Sequence, residues 1–186
     1  MKNVLITGIS GQDGIFLTSK LLNKGRFKIY GVSRSSEEKF IKKLSTLNHD
    51  NFENLKLSNI NQFDQQSVDK MFDEIKPNII FNLSGPSSVY NSFNDNDLSK
   101  KNIIKIFDNL LSSSFKLDHF PKFFQASSSE MFGLNDKEIL SENDEFTPNS
   151  PYAEGKHHIH KKIIEINKNK GLDIKSGIMF NHESEF

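Results

Sequence analysis

Short apolar runs alternate with longer amphipathic ones along this chain, and the alternation itself predicts the elements. Val4-Leu5-Ile6 reads as a strand, and 11–24 as a helix that stops at Gly25. Phe27 to Val32 is a second strand, and 37–48 a charged, exposed helix. Residues 53–57 form a weak strand, and 65–75 a helix closed by Pro77. Ile79-Ile80-Phe81-Asn82-Leu83 is a buried strand, followed by a helix over 98–113. Lys122 to Ala126 is the fifth strand, whereas 133–149 is polar, lacks a period and reads as a loop. Ser150-Pro151 opens a helix, with Ser as N-cap and Pro in the first helical position. That helix runs to Lys170 and stops at Gly171, and Asp173 to Phe180 is the last strand.

Six strands alternating with helices predict an α/β fold with a parallel sheet covered on both faces. Right-handed crossovers make the doubly wound order its natural topology. The phenylalanines at 81, 123, 124 and 180 fall on these strands, so core packing is their expected role. At 186 residues the chain has the size of one domain, spanning 1–186. It has no cysteine, which excludes disulfides and thiolate metal sites and fits a reducing compartment. The apolar run after Met1 is too short for a signal peptide, and no stretch is long enough to span a membrane. The expected location is therefore cytoplasmic. Lys+Arg and Asp+Glu both number 24, so no global field draws the chain to nucleic acid or an anionic membrane. Any phosphate must be held by local geometry.

One segment supplies such geometry. Gly8-Ile9-Ser10-Gly11-Gln12-Asp13-Gly14 joins the first strand to the first helix. Its glycines permit a tight turn, close approach of backbone to a pyrophosphate, and close packing of helix on strand. The helix N-terminus then faces the phosphates. The three-residue spacing of the glycines differs from the tighter G-x-G-x-x-G form. At the end of the second strand, an acid would hold the ribose 2′-hydroxyl of NAD, and an arginine the 2′-phosphate of NADP. Here Ser33-Arg34-Ser35-Ser36 precede the first acid, Glu37, so the pattern favours NADP over a solvated surface arginine.

The candidate chemistry lies further on. Tyr152 and Lys156 are spaced i and i+4 on one helix face. A neighbouring ammonium favours the phenolate, so Lys156 is expected to bring the Tyr152 phenol down towards a useful range. Ser127-Ser128-Ser129-Glu130 leave the carboxyl end of the fifth strand, where ligands of open parallel sheets bind. His157, His158 and His160 look like metal ligands, but only 157 and 160 share a helix face and no third ligand is evident. No metal site is expected there.

These residues resemble the extended short-chain dehydrogenase/reductase family, and within it the GDP-mannose 4,6-dehydratases. The resemblance runs from Val4 to Ser184, and its most telling segments are Ile6–Gly14, Gln125–Gly133, Ser150-Pro151-Tyr152 and Phe180–Ser184. It implies a Rossmann fold, NADP as cofactor and GDP-mannose as substrate. It also implies a homo-oligomer. By the same resemblance Ser128, Glu130, Tyr152 and Lys156 are catalytic. Residues 8–14, Arg34, Ser35, Ser36, Asn59, Ile60, Leu83, Ser84, Gly85, Ser87, Lys156 and His182 would contact the cofactor. Ser87, Asn181 and Glu183 would face the sugar nucleotide. The implied reaction is internal hydride transfer with loss of water, giving a 4-keto-6-deoxy sugar.

The sequence departs from the family pattern in places. Asn59 and Gln62 replace aspartates, Pro86 a glutamine, Ser35 a second arginine and Leu98 a tyrosine. Family members are about twice as long, so the chain is expected to stop before the substrate-binding domain, with 182–186 as its start, and on its own to bind cofactor weakly and turn over poorly or not at all. Two other readings stay open: another nucleotide-sugar epimerase or reductase of the same family, and a non-catalytic NADP-binding module. The carboxyl of Glu130, which an epimerase does not need for removing a C5 proton, tilts the reading towards dehydration.

Overall fold

The computed structural model describes residues 1–47, 52–85 and 96–185. Pro86 and Ser87, both singled out above, lie outside the described residues. In chain order the elements are β1 (Lys2–Thr7), α1 (Gln12–Asn23), β2 (Phe27–Val32), α2 (Glu37–Ser45), β3 (Leu55–Ser58) and α3 (Gln65–Ile75). There follow β4 (Ile79–Asn82), α4 (Asn96–Phe115), β5 (Lys122–Ser128), a 3-10 turn (Ser129–Phe132), α5 (Pro151–Lys170) and β6 (Ile174–Met179). The strands form one parallel sheet in the order β3-β2-β1-β4-β5-β6, the doubly wound topology expected from the alternation.

Side chains alternate across each strand, so one apolar run feeds two cores. Val4 and Ile6 point to one face, where α1 and α2 cover them with Ile15, Leu21, Phe40 and Leu44. Leu5 points to the other, under Val68 and Phe72 of α3, Phe107 and Leu110 of α4 and Ile159 of α5. Phe123 meets Phe107 edge-on at 5.8 Å, and Phe124 lies 5.9 Å from Phe81. Phe180 does not join either core. It falls one residue beyond β6 and stays 56% exposed, against the packing role expected for it.

At two boundaries the difference from the sequence pattern has a local reason. α3 is closed by Lys76 in the left-handed conformation (φ 46°), whose N–H bonds the Phe72 carbonyl; Pro77 only follows. β5 continues through Ser127 and Ser128, which lie in register with Ile178 and Met179 of β6. The segment after Gly133 is a loop, as its polarity predicted, but it is pinned. Gly133 bridges Thr147, the Thr147 hydroxyl donates to the Phe132 carbonyl, and Phe146 lies 4.7 Å from Phe132. Among the described residues no helix is long and apolar enough to cross a membrane.

This pinned loop delivers the chain to the N-terminus of α5. There the buried Ser150 hydroxyl accepts from Ala153 N–H at 3.1 Å, with Pro151 behind it. Ser150→Ala removes the cap inside a buried turn. It is expected to cost about 1 kcal/mol of unfolding free energy, measured by urea denaturation.

Candidate functional site

The glycine loop is built against backbone on two sides. Gly8 has φ +69°, and its N–H donates to the Val32 carbonyl at 3.1 Å, which fastens the turn to the end of β2. A Cβ there would stand 2.7 Å from the Leu83 carbonyl oxygen, and one on Gly14 only 2.3 Å from that of Ile9. Side chains at either place would push the loop off its seat. Gly11 caps α1 without a side-chain bond, whereas Ser36, Asp64 and Ser150 cap α2, α3 and α5. The start of α1 therefore carries no side-chain cap, and an uncapped helix start of this kind fits the phosphates of a dinucleotide.

Around the loop, the predicted contacts fall into two groups. Arg34, Ser35 and Ser36 are exposed just past β2, where the Ser36 hydroxyl accepts from Lys39 N–H. Asn59 is exposed just past β3, while Ile60 is half-buried and packs on the core. Leu83 lies under the loop, its N–H on the Thr7 carbonyl at 3.1 Å, and the Ser84 hydroxyl donates to Gln62 Oε1 at 3.1 Å. Gly85 lies beside the Lys156 amine. Ser33 was not predicted as a contact. Its buried hydroxyl donates to the Ser10 hydroxyl and accepts from Ser35 N–H, both at 2.9 Å, so it ties the glycine loop to the Arg34 turn. Its place as the residue immediately following β2 is the sequence signal that marks it.

Ser128, Glu130, Tyr152 and Lys156 converge at the carboxyl end of β5. The Ser128 hydroxyl accepts from Glu130 N–H at 3.2 Å, which turns the chain into the 3-10 turn. The same hydroxyl is hydrogen-bonded to the Tyr152 phenol, and the Glu130 carboxylate is close enough to act on it. Burial raises the phenol's pKa above its ordinary value, the Glu130 charge adds to this, and the Ser128 bond opposes it. This corrects the expectation that Lys156 pulls the phenol down. The Lys156 amine lies 5.6 Å from the Tyr152 ring centroid and donates to the Ala126 carbonyl at 2.6 Å. Burial brings its own pKa down to about 8.

A row of buried polar side chains runs below this centre, and the sequence reading did not anticipate it. Thr7, Asn82 and Gln125 are register partners on β1, β4 and β5. The Thr7 hydroxyl donates to Asn82 Oδ1 and Asn82 Nδ2 donates to Gln125 Oε1, both at 2.6 Å. Gln125 Nε2 donates to the Ala126 carbonyl at 2.9 Å. The available signal was a single polar residue following each apolar run: Thr7 after Ile6, Asn82 after Phe81 and Gln125 after Phe124.

Of the histidines of α5, His157 and His160 share a helix face and both pack against the Phe146 ring, at 5.4 and 5.1 Å. His160 is also buried on the Ser176 hydroxyl at 2.8 Å, and His158 is exposed. A groove of about 440 Å³ between β3 and α3, lined by Tyr30, Lys56, Lys70 and Glu74, includes only Ile60 of the predicted contacts. Asn181 and Glu183 are exposed past β6, on either side of His182.

His182 itself folds back onto the start of α1. Its Nε2 faces Asp13 Oδ1 at 2.6 Å and its Nδ1 the Phe180 carbonyl at 2.7 Å, while Gln12 donates to its carbonyl. Both ring partners can act as acceptors, so the two contacts favour the doubly protonated imidazolium. Its pKa is raised by the Phe180 carbonyl first and then by Asp13. A raised pKa means the tie is complete below the ordinary histidine midpoint and is lost as pH climbs through the raised one. In a proton NMR titration His182 is expected to turn over above about 6.5, and to fall back towards it in Asp13→Asn.

The family model for GDP-mannose 4,6 dehydratase matches residues 5–186. GDP-mannose 4,6 dehydratase 2 of Arabidopsis thaliana is 34% identical over 191 residues, covering 98% of this chain and 51% of the relative. The human GDP-mannose 4,6 dehydratase is 32% identical over 188 residues, covering 97% and 50%. The chain thus spans about half the length of the curated relatives it matches. Among solved structures, the UDP-Glc/GlcNAc 4-epimerase of Campylobacter jejuni superposes with a TM-score of 0.82 at 19% identity, covering 97% of this chain and 53% of that one. The UDP-glucose 4-epimerase of Brucella ovis in complex with NAD gives 0.80 at 17% identity, covering 97% and 52%. Those two share the fold. With nearly its whole length on the family model, from the first strand through the segment that returns to the glycine loop, the chain belongs to the GDP-mannose 4,6-dehydratase family.

Proposed function

We propose that this chain binds NADP on the glycine loop and carries the catalytic residues of GDP-mannose 4,6-dehydration. The observation that carries the reading is the meeting of Ser128, Glu130 and Tyr152 at one strand end, with the buried Lys156 amine one helical turn from the phenol. A nicotinamide, when bound, supplies a hydride acceptor and donor; every proton in the reaction falls to the protein. Tyr152, held by Ser128, takes the proton from the sugar 4-hydroxyl as that carbon becomes a ketone. The ketone acidifies the C5 hydrogen, and the Glu130 carboxylate removes it. The C6 hydroxyl leaves with a proton as water, and C5 is reprotonated when C6 is reduced. Glu130 separates this scheme from 4-epimerisation, which removes nothing from C5.

Arg34 supports NADP over NAD. It stands exposed at the end of β2, next to the Ser33–Ser10 tie, and a guanidinium grips a phosphate through two parallel hydrogen bonds. Arg34→Ala is expected to weaken NADP⁺ binding at least tenfold by calorimetry while leaving NAD⁺ within about threefold, from the usual strength of a charge-assisted bond.

Incubating the chain with GDP-mannose and NADP⁺ tests this: the expected product by mass spectrometry is a nucleotide sugar lighter by one water, with no net NADPH, formed slowly because the chain spans about half the length of its relatives. Tyr152→Phe keeps the ring but loses the proton carrier, and is expected to lower the rate by about a hundredfold or more. A chain that binds NADP⁺ yet forms no dehydrated sugar would end the dehydratase reading and leave a dinucleotide-binding module.

A further inference from the structure

The row Thr7–Asn82–Gln125 has no part in the reaction as written. All three residues are at most 1% exposed, on three adjacent interior strands of the sheet. Buried amides cost free energy unless paired, and apolar residues of the same shape can replace a paired set at nearly no loss. Packing alone therefore does not call for them.

The bonds of the row run in one forced direction. The Ala126 carbonyl can only accept, so Gln125 must turn its NH₂ towards it. Gln125 Oε1 then faces Asn82, which must present its own NH₂, and Asn82 Oδ1 faces Thr7, whose hydroxyl must donate. Donors aligned in one sense polarise one another. The row ends on the same carbonyl oxygen that receives the Lys156 amine. At its other end, Thr7 immediately precedes Gly8. Asn82 immediately precedes Leu83, whose carbonyl packs against Gly8.

We propose that Asn82 and Gln125 are positioning residues which, through the Ala126 carbonyl, fix the Lys156 amine beside Tyr152 and tie its position to the glycine loop. The proposal rests on the assignment of Tyr152 and Lys156 to the reaction. Gln125 sets the direction of the carbonyl, the carbonyl sets the amine, and Thr7 and Asn82 keep Gln125 from turning over. Burial is what lowers the amine's pKa, so the position of this single carbonyl governs how well the ammonium form is held.

The test uses the full chain and two variants. Gln125→Met keeps the bulk but removes both amide bonds, and Thr7→Val removes only the first donor at almost constant shape. The Lys156 amine is titrated by NMR of ¹³Cε-labelled lysine, NADP⁺ affinity is read by calorimetry, and kcat and KM are measured with GDP-mannose. Gln125→Met is expected to move the Lys156 midpoint by roughly half a unit or more. It should also lower kcat about tenfold or more, with NADP⁺ Kd and KM within about threefold. Thr7→Val, which tests the row if Gln125→Met does not fold, is expected to move the midpoint in the same direction by less. A folded variant with an unchanged Lys156 midpoint and unchanged kcat overturns the proposal. The titration needs no turnover. A chain inactive on GDP-mannose whose Lys156 midpoint still follows the row supports the positioning role while removing the dehydratase reading.

Discussion

The structure depends on the in-register parallel pairing of β1, β4 and β5, which brings three chain exits to one edge. Thr7, Asn82 and Gln125 are cross-strand partners, so the glycine loop, the Leu83–Gly85 loop and the Ser128–Glu130 turn all leave the same rim. Parallel pairing leaves no other place for them, because each strand ends on the same side of the sheet. The buried polar row is the internal mark of that register. A one-residue slip at any strand would turn its amide or hydroxyl to the opposite face and leave unpaired groups in the core.

The electrostatics of the rim follow from its burial. Water is displaced from both Tyr152 and Lys156, and this works against both charged forms, raising the phenol and lowering the amine. The two groups, whose ordinary proton affinities are close, are thereby driven apart, the phenol above its usual 10.0 and the amine down to about 8. Local hydrogen bonds then refine the balance: Ser128 favours the phenolate, and the Ala126 carbonyl favours the ammonium. At the outer edge of the site, the exposed His182 takes the opposite shift because its two partners are acceptors.

What was legible in the sequence was whatever depends on neighbours in the chain. The strands, the glycine turn, the Ser150-Pro151 cap and the Tyr152–Lys156 spacing are short-range signals, and each recurs in the structure at or within a few residues of its expected place. What was not legible depends on partners far apart. The Ser33–Ser10 tie spans 23 residues, the Thr7–Asn82 bond 75 and the His182–Asp13 contact 169. Phe180 was read as core because it follows an apolar strand, but one residue beyond Met179 it meets the Phe132 ring at 6.4 Å and is left 56% exposed. The direction of the Tyr152 shift was missed because spacing says that an ammonium is near, whereas the burial of the phenol, which dominates the shift, is set by residues distant in the chain.

The central claim is that dinucleotide and chemistry share this one rim. Backbone-amide NMR during a titration with NADP⁺ tests it most directly. The account predicts shifts concentrated at residues 8–14, 33–36 and 82–85 and around Tyr152 and Lys156. Shifts concentrated instead in the groove between β3 and α3, at Lys56, Lys70 and Glu74, would contradict it.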